Sequence, residues 1–168
     1  MKDELFLDIC KENYFALIQM IEQAIDLCPD KLWSDDSPQP QFWQEIYHTI
    51  YYLDFYLGSS PKKHIERFDC KENLSEKPVS ILTKPEMQSY LREVKEKCQN
   101  LLDDLTAKEI EGKNSYWWTG PTLGHRLIYN IRHSQHHMGK INLILKQNGF
   151  EASKWVIKVK QEKKSNHQ

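Results

Sequence analysis

The sequence predicts an all-α protein, a four-helix bundle with one long crossover connection. Three observations point there. Four long stretches carry apolar residues at helical spacing. Segments rich in Pro, Gly and Ser separate them. One separating segment, between the second and third stretches, is long and mixed in character.

The first helix is expected from about Asp3 to Leu27. Leu5, Ile9, Phe15, Leu17, Ile18, Ile21, Ala24 and Ile25 recur at helical spacing, and Cys28-Pro29-Asp30 stops the run. The linker Ser34–Gln41 holds two prolines and does not suit a helix interior. The second helix is expected from Gln41 to Leu57, closed by Gly58-Ser59-Ser60-Pro61. Lys62 to Thr83 reads as an irregular crossover. Thr83 then caps a third helix, with Pro85 in its first turn and Glu86 at the capping-box position, and that helix runs to about Leu105. Thr106–Pro121, with its aromatic cluster Tyr116-Trp117-Trp118, reads as a loop. The fourth helix is expected from Thr122 to Asn148, with Gly149 as its C-terminal cap.

The 168 residues are 39% hydrophobic and 28% charged, with five Trp, eight Tyr and six Phe to build a core. One domain over 1–157 is expected, followed by a polar, flexible tail at 158–168. The net charge of -1 supplies no field for nucleic acid or for an anionic membrane. No apolar run approaches the roughly 18 residues of a membrane span. Cys10, Cys28, Cys70 and Cys98 form no CxxC pair, and the first ten residues carry three acids and no long apolar run. A cytoplasmic protein with buried, reduced thiols is expected.

Histidines are the unusual feature. The chain has seven, and His133, His136 and His137 fall within five positions of the fourth helix. A helix turns about 100° per residue. With Leu123 at zero, Leu127, Ile131, Met138, Ile141, Ile144 and Leu145 form the apolar stripe. His133 and His137, at about 280° and 320°, lie on its shoulder, while His136 points to solvent. Residues one turn apart lie close enough for two imidazoles to converge on one metal ion. The plain alternative is a pair that bonds backbone or water at the core edge.

A third ligand must come from elsewhere. His64 sits in the charged loop "PKKHIERFD" and is expected to be exposed. His125 falls on another side of the fourth helix. His48 stands mid-way along the second helix, off its strongest apolar stripe. Tyr51, Tyr52 and Phe55 make that helix apolar on its other side too. One face suits the bundle core and the other a partner subunit. His48 is thus either a ligand or a histidine buried in a tyrosine network.

A His in the second helix, followed some eighty residues later by "HSQHHMGK", resembles the DinB/YfiT-like family. The family pattern is a helix-2 His plus His-x-x-x-His followed by x-Gly. His48, His133 and His137 match it, with Met138-Gly139 after them; Lys140 departs from the Gln or Glu often found there. The Pro-containing first linker, the long crossover and Trp155 extend the likeness over most of the chain. The resemblance implies a four-helix bundle that binds one divalent metal through His48, His133 and His137, as a homodimer. Some such proteins, the bacillithiol-type S-transferases among them, activate a low-molecular-weight thiol. Others are grouped as metal-dependent hydrolases.

Three imidazoles leave coordination positions open, as catalytic sites do. Zinc or nickel suits them first, with iron or manganese as alternatives. A small-molecule substrate follows, with thiol S-transfer or hydrolysis as the chemistry. Glu45, one turn before His48, and Asn130, near His133, are candidates to orient the rings from behind. Each also has a plainer role, Glu45 as a first-turn helix acid and Asn130 as a hydrogen bond within the bundle. Two other readings remain: a non-catalytic helical dimer that binds a metal or ligand, and a purely structural dimer.

Overall fold

The computed structural model describes residues 2–36, 40–68, 70, 72–76 and 80–159, with side chains from residue 4 onward. Among them are six α-helices and no strand: α1 Lys2–Leu27, α2 Asp30–Trp33, α3 Phe42–Leu57, α4 Lys84–Asp104, α5 Ala107–Ile110 and α6 Leu123–Gln147. No helix among the described residues is long and apolar enough to cross a membrane. Most of the tail expected at 158–168 lies outside the described residues. Lys158 itself pairs with Glu12 on α1 at 3.1 Å.

The four long helices end close to where their cap residues put them. Thr83 and Glu86 exchange capping-box bonds at the start of α4, and the Thr83 backbone N–H donates to Glu86 Oε2 at 2.7 Å. Thr122 Oγ1 accepts from the His125 backbone N–H at the start of α6. Gly149, at φ 80°, takes the left-handed turn after it. The short α5 lies within the loop expected at Thr106–Pro121, and the short α2 fills the gap between the first helix and the Ser34–Gln41 linker. α5 has its own capping box, Thr106 with Glu109. A 3-10 turn at Trp117–Thr119 interrupts the aromatic loop.

α1 packs on α4 and α6, and α3 packs on the same two helices. Gln88 bonds Asp26 and Lys11 pairs with Asp103, so α1 and α4 are antiparallel. Asn130 bonds Leu53 and His137 bonds Glu45, so α3 and α6 are antiparallel too. Tyr47 meets Tyr90 while Asp54 meets Lys97 further along both helices, so α3 and α4 run the same way.

That shared direction requires the chain to travel back along α3 before α4 begins, and it does. The His64 ring lies 4.8 Å from Tyr51 and 5.2 Å from Phe55. Phe68 and the Cys70 carbonyl meet Tyr47. The Glu72 carbonyl meets His48, and the Asn73 and Glu76 carbonyls accept from Gln44 Nε2. The described residues of 64–76 therefore form a strap along α3.

Two expectations are corrected here. The second apolar face of α3, assigned to a partner subunit, is covered by the chain's own strap. His64 is half-buried between Tyr51 and Phe55, with its Nε2 sealed from solvent and without a hydrogen-bond partner among the described residues, because the strap presses it there.

Candidate metal centre

The centre forms where α3 faces α6. Trp43, Ile46, Tyr47, Ile50 and Leu53 are fully buried and hold α3 in place, which aims His48 at α6. Leu127, Met138, Ile141 and Leu145 do the same for α6, with His133 and His137 on the edge of that stripe. One nitrogen from each of His48, His133 and His137 falls within a set whose members all lie within 4.8 Å of one another. The ring centroids are 4.3 Å apart for His48 and His137, 4.7 Å for His133 and His137, and 5.5 Å for His48 and His133. His136 and His125 are exposed, and His125 Nδ1 bonds Thr122 Oγ1 instead.

Hydrogen bonds fix which nitrogens face inward. The Glu72 carbonyl lies 2.7 Å from His48 Nδ1. A carbonyl only accepts, so that Nδ1 carries the hydrogen. Glu45 Oε2 lies 2.9 Å from His137 Nδ1, which donates to the carboxylate. Both Nε2 atoms therefore present lone pairs, and they stand 3.1 Å apart. Two lone pairs at that separation repel unless a cation lies between them. Burial holds both His48 and His133 below the usual imidazole range, His133 at about 4, and neighbouring histidines add to the effect at His133. The same burial disfavours a proton on His48. Two nitrogens on one zinc ion sit roughly 3.3 Å apart for a tetrahedral site. The donor set thus fits a divalent metal.

Glu45 is 2% exposed, which is costly for a carboxylate without partners. Its Oε2 takes the His137 N–H and its Oε1 stands 3.9 Å from Lys140 Nζ. Glu45 was expected to orient its neighbour His48; across the helix interface it holds His137. Asn130 sits beside the histidines in sequence but bonds elsewhere. It is fully buried, and its Nδ2 donates to the Leu53 carbonyl at 3.0 Å, tying α6 to α3. An Asn130→Ala protein is expected to lose about 2 kcal/mol of stability and to keep its metal-binding capacity. Denaturant unfolding beside a metal titration checks both halves, and loss of metal at intact fold would return Asn130 to the site.

Several contributors escaped the sequence reading. The Glu72 carbonyl is one. Tyr52, whose ring lies 4.7 Å from His48 and 5.1 Å from His133, is another. Tyr129 stacks nearly parallel to His133, at 15° and 6.2 Å. The one-turn spacings His48–Tyr52 and Tyr129–His133 were the available signal. Of the cluster Tyr116-Trp117-Trp118, Tyr116 is core: it is fully buried and its hydroxyl donates to the Phe55 carbonyl at 2.7 Å. Cys10, Cys28, Cys70 and Cys98 form no disulfide among the described residues. Burial pushes the Cys10 thiol up to about 11 and the Cys28 thiol up to about 12, so neither supplies thiolate near neutral pH.

A family model described as the DinB superfamily matches residues 16–141. No curated protein and no solved structure matches the chain.

Proposed function

The chain belongs to the DinB superfamily, and from that premise we propose that His48, His133 and His137 bind one divalent metal in a metal-dependent enzyme acting on a small molecule. The observation that carries this reading is the pair of inward Nε2 lone pairs 3.1 Å apart, with His133 completing the set. The packing of α1, α3, α4 and α6, with a strap joining two helices of like direction, supports the four-helix bundle with a crossover.

Zinc or nickel is the proposed occupant, with iron or manganese next. A metal held by three neutral imidazoles supplies Lewis acidity that makes a thiol or water nucleophilic near neutral pH. The chain's own residues prepare for this. The Glu72 carbonyl and the Glu45 carboxylate hold His48 and His137 in one tautomer each. Tyr52 and Tyr129 wall the site on the His133 side. α6 carries no acidic residue, and Glu45 is engaged with His137, so neither offers a free carboxylate base. That favours chemistry in which the nucleophile is activated directly: transfer of a low-molecular-weight thiol to an electrophile, or hydrolysis. The proposed assembly is a homodimer, on family grounds, and the proposed location is the cytoplasm, on the buried thiols of Cys10, Cys28 and Cys98.

The test is metal content after purification without chelators or a His-tag. Wild type and His136→Ala are expected to carry near one metal per chain, and His48→Ala, His133→Ala and His137→Ala to fall to background. Absence of metal in wild type, with no uptake from zinc, nickel, iron or manganese, overturns the proposal. Metal without turnover of an activated electrophile, with or without an added thiol, leaves a binding protein and removes the enzyme.

A further inference from the structure

A cleft of about 570 Å³ is lined by Tyr129, the ring that stacks on His133, and by His125. That volume lies within the roughly 300–1,000 Å³ range of small-molecule sites. Three elements contribute walls: α1 through Phe6, α5 through Ile110, and α6 through Ile128 and Tyr129. Ile128 is 46% exposed, a large apolar side chain that the chain's own packing leaves open.

One full cation lines this apolar space. Arg132 lies one turn beyond Ile128, with its guanidinium carbon 5.3 Å from the centroid of the Tyr129 ring. It forms no ion pair among the described residues. A guanidinium packed on a ring keeps its N–H edge free, and that edge matches a carboxylate in two-point geometry. Glu111 also lines the cleft, and its charge disfavours a ligand with a second anionic group.

We propose that this cleft binds a small-molecule monocarboxylate, its apolar body among Phe6, Ile110, Ile128 and Tyr129 and its carboxylate on Arg132. The site does not depend on a metal at the histidines. Through Tyr129, which lines the cleft and stacks on His133, it adjoins that centre.

Phenylbutyrate, with phenylbutyramide as its neutral twin, tests this by amide NMR titration of the full chain. Chelator-treated wild type is expected to bind the acid, with shifts centred on Ile110, Ile128 and Arg132. Arg132→Ala is expected to weaken the acid about tenfold or more, as for loss of a charge-assisted bond, and to leave the amide within about threefold. Ile128→Trp is expected to fill the space and abolish both. Both positions are solvent-facing, and a circular dichroism melt checks that each variant folds. Equal binding of acid and amide overturns the anionic assignment. No binding, or binding that survives Ile128→Trp or requires metal and His137, overturns the site. Because the titration is run without metal, its failure and the failure of the metal proposal are separate results.

Discussion

A His137→Ala protein, stripped of metal, is expected to be less stable than wild type by about 3 kcal/mol, which at this chain length is a fall in Tm of roughly 6–12 °C. The effect comes from what the substitution leaves behind. Glu45 is 2% exposed, and His137 gives it the hydrogen bond at 2.9 Å. Lys140, 44% exposed and 3.9 Å away, is too distant and too hydrated to replace that bond. Removing one member of a buried pair costs far more than the pair is worth, because the survivor stays out of water. The double variant His137→Ala/Glu45→Gln is therefore expected to recover part of the loss. A melt of His137→Ala within about 2 °C of wild type would show that Glu45 does not rely on the imidazole.

The second large effect is stabilisation by the metal itself. With free metal about 1,000-fold above Kd, binding to the folded state alone contributes about 4.1 kcal/mol, a rise in Tm of roughly 8–16 °C. His48→Ala and His133→Ala are expected to lose this increment. Asn130→Ala is expected to start lower and keep it. An equal increment in His48→Ala would mean that the ion binds elsewhere on the chain.

The long helices were legible because their ends carry chemistry that acts locally. Thr83 with Glu86, Thr122 and Gly149 mark termini to within a residue or two. The sorting of the α6 histidines was legible because one stripe of that helix is apolar. His48 was not, since α3 is buried on nearly every side. The reason lies in the strap, whose course along α3 is set by the shared direction of α3 and α4. No local pattern in 64–76 announces that course. The Glu72 contact was invisible for a related cause: its carbonyl belongs to the backbone, which every residue has. α5, with four residues, is too short for periodicity to register, although Thr106 and Glu109 repeat the capping pattern of Thr83 and Glu86. Glu45 was singled out as a supporting residue, but distance along one helix pointed to His48, and the facing helix decided otherwise.

The like-directed pairing of α3 with α4 bears on how quickly the molecule acquires its shape. Tyr14 reaches Leu127 across 113 positions, and His48 reaches His137 across 89. Contacts so remote in sequence slow the search for the native state, because large loops must close before they gain anything. The histidine cluster needs α3, its strap and α6 all in position, so it assembles near the end of that search. An ion that recognises only the finished cluster is expected to leave the refolding rate unchanged and to slow unfolding. Stopped-flow refolding with and without metal reads this directly, and acceleration of refolding would place the cluster at the start of the route.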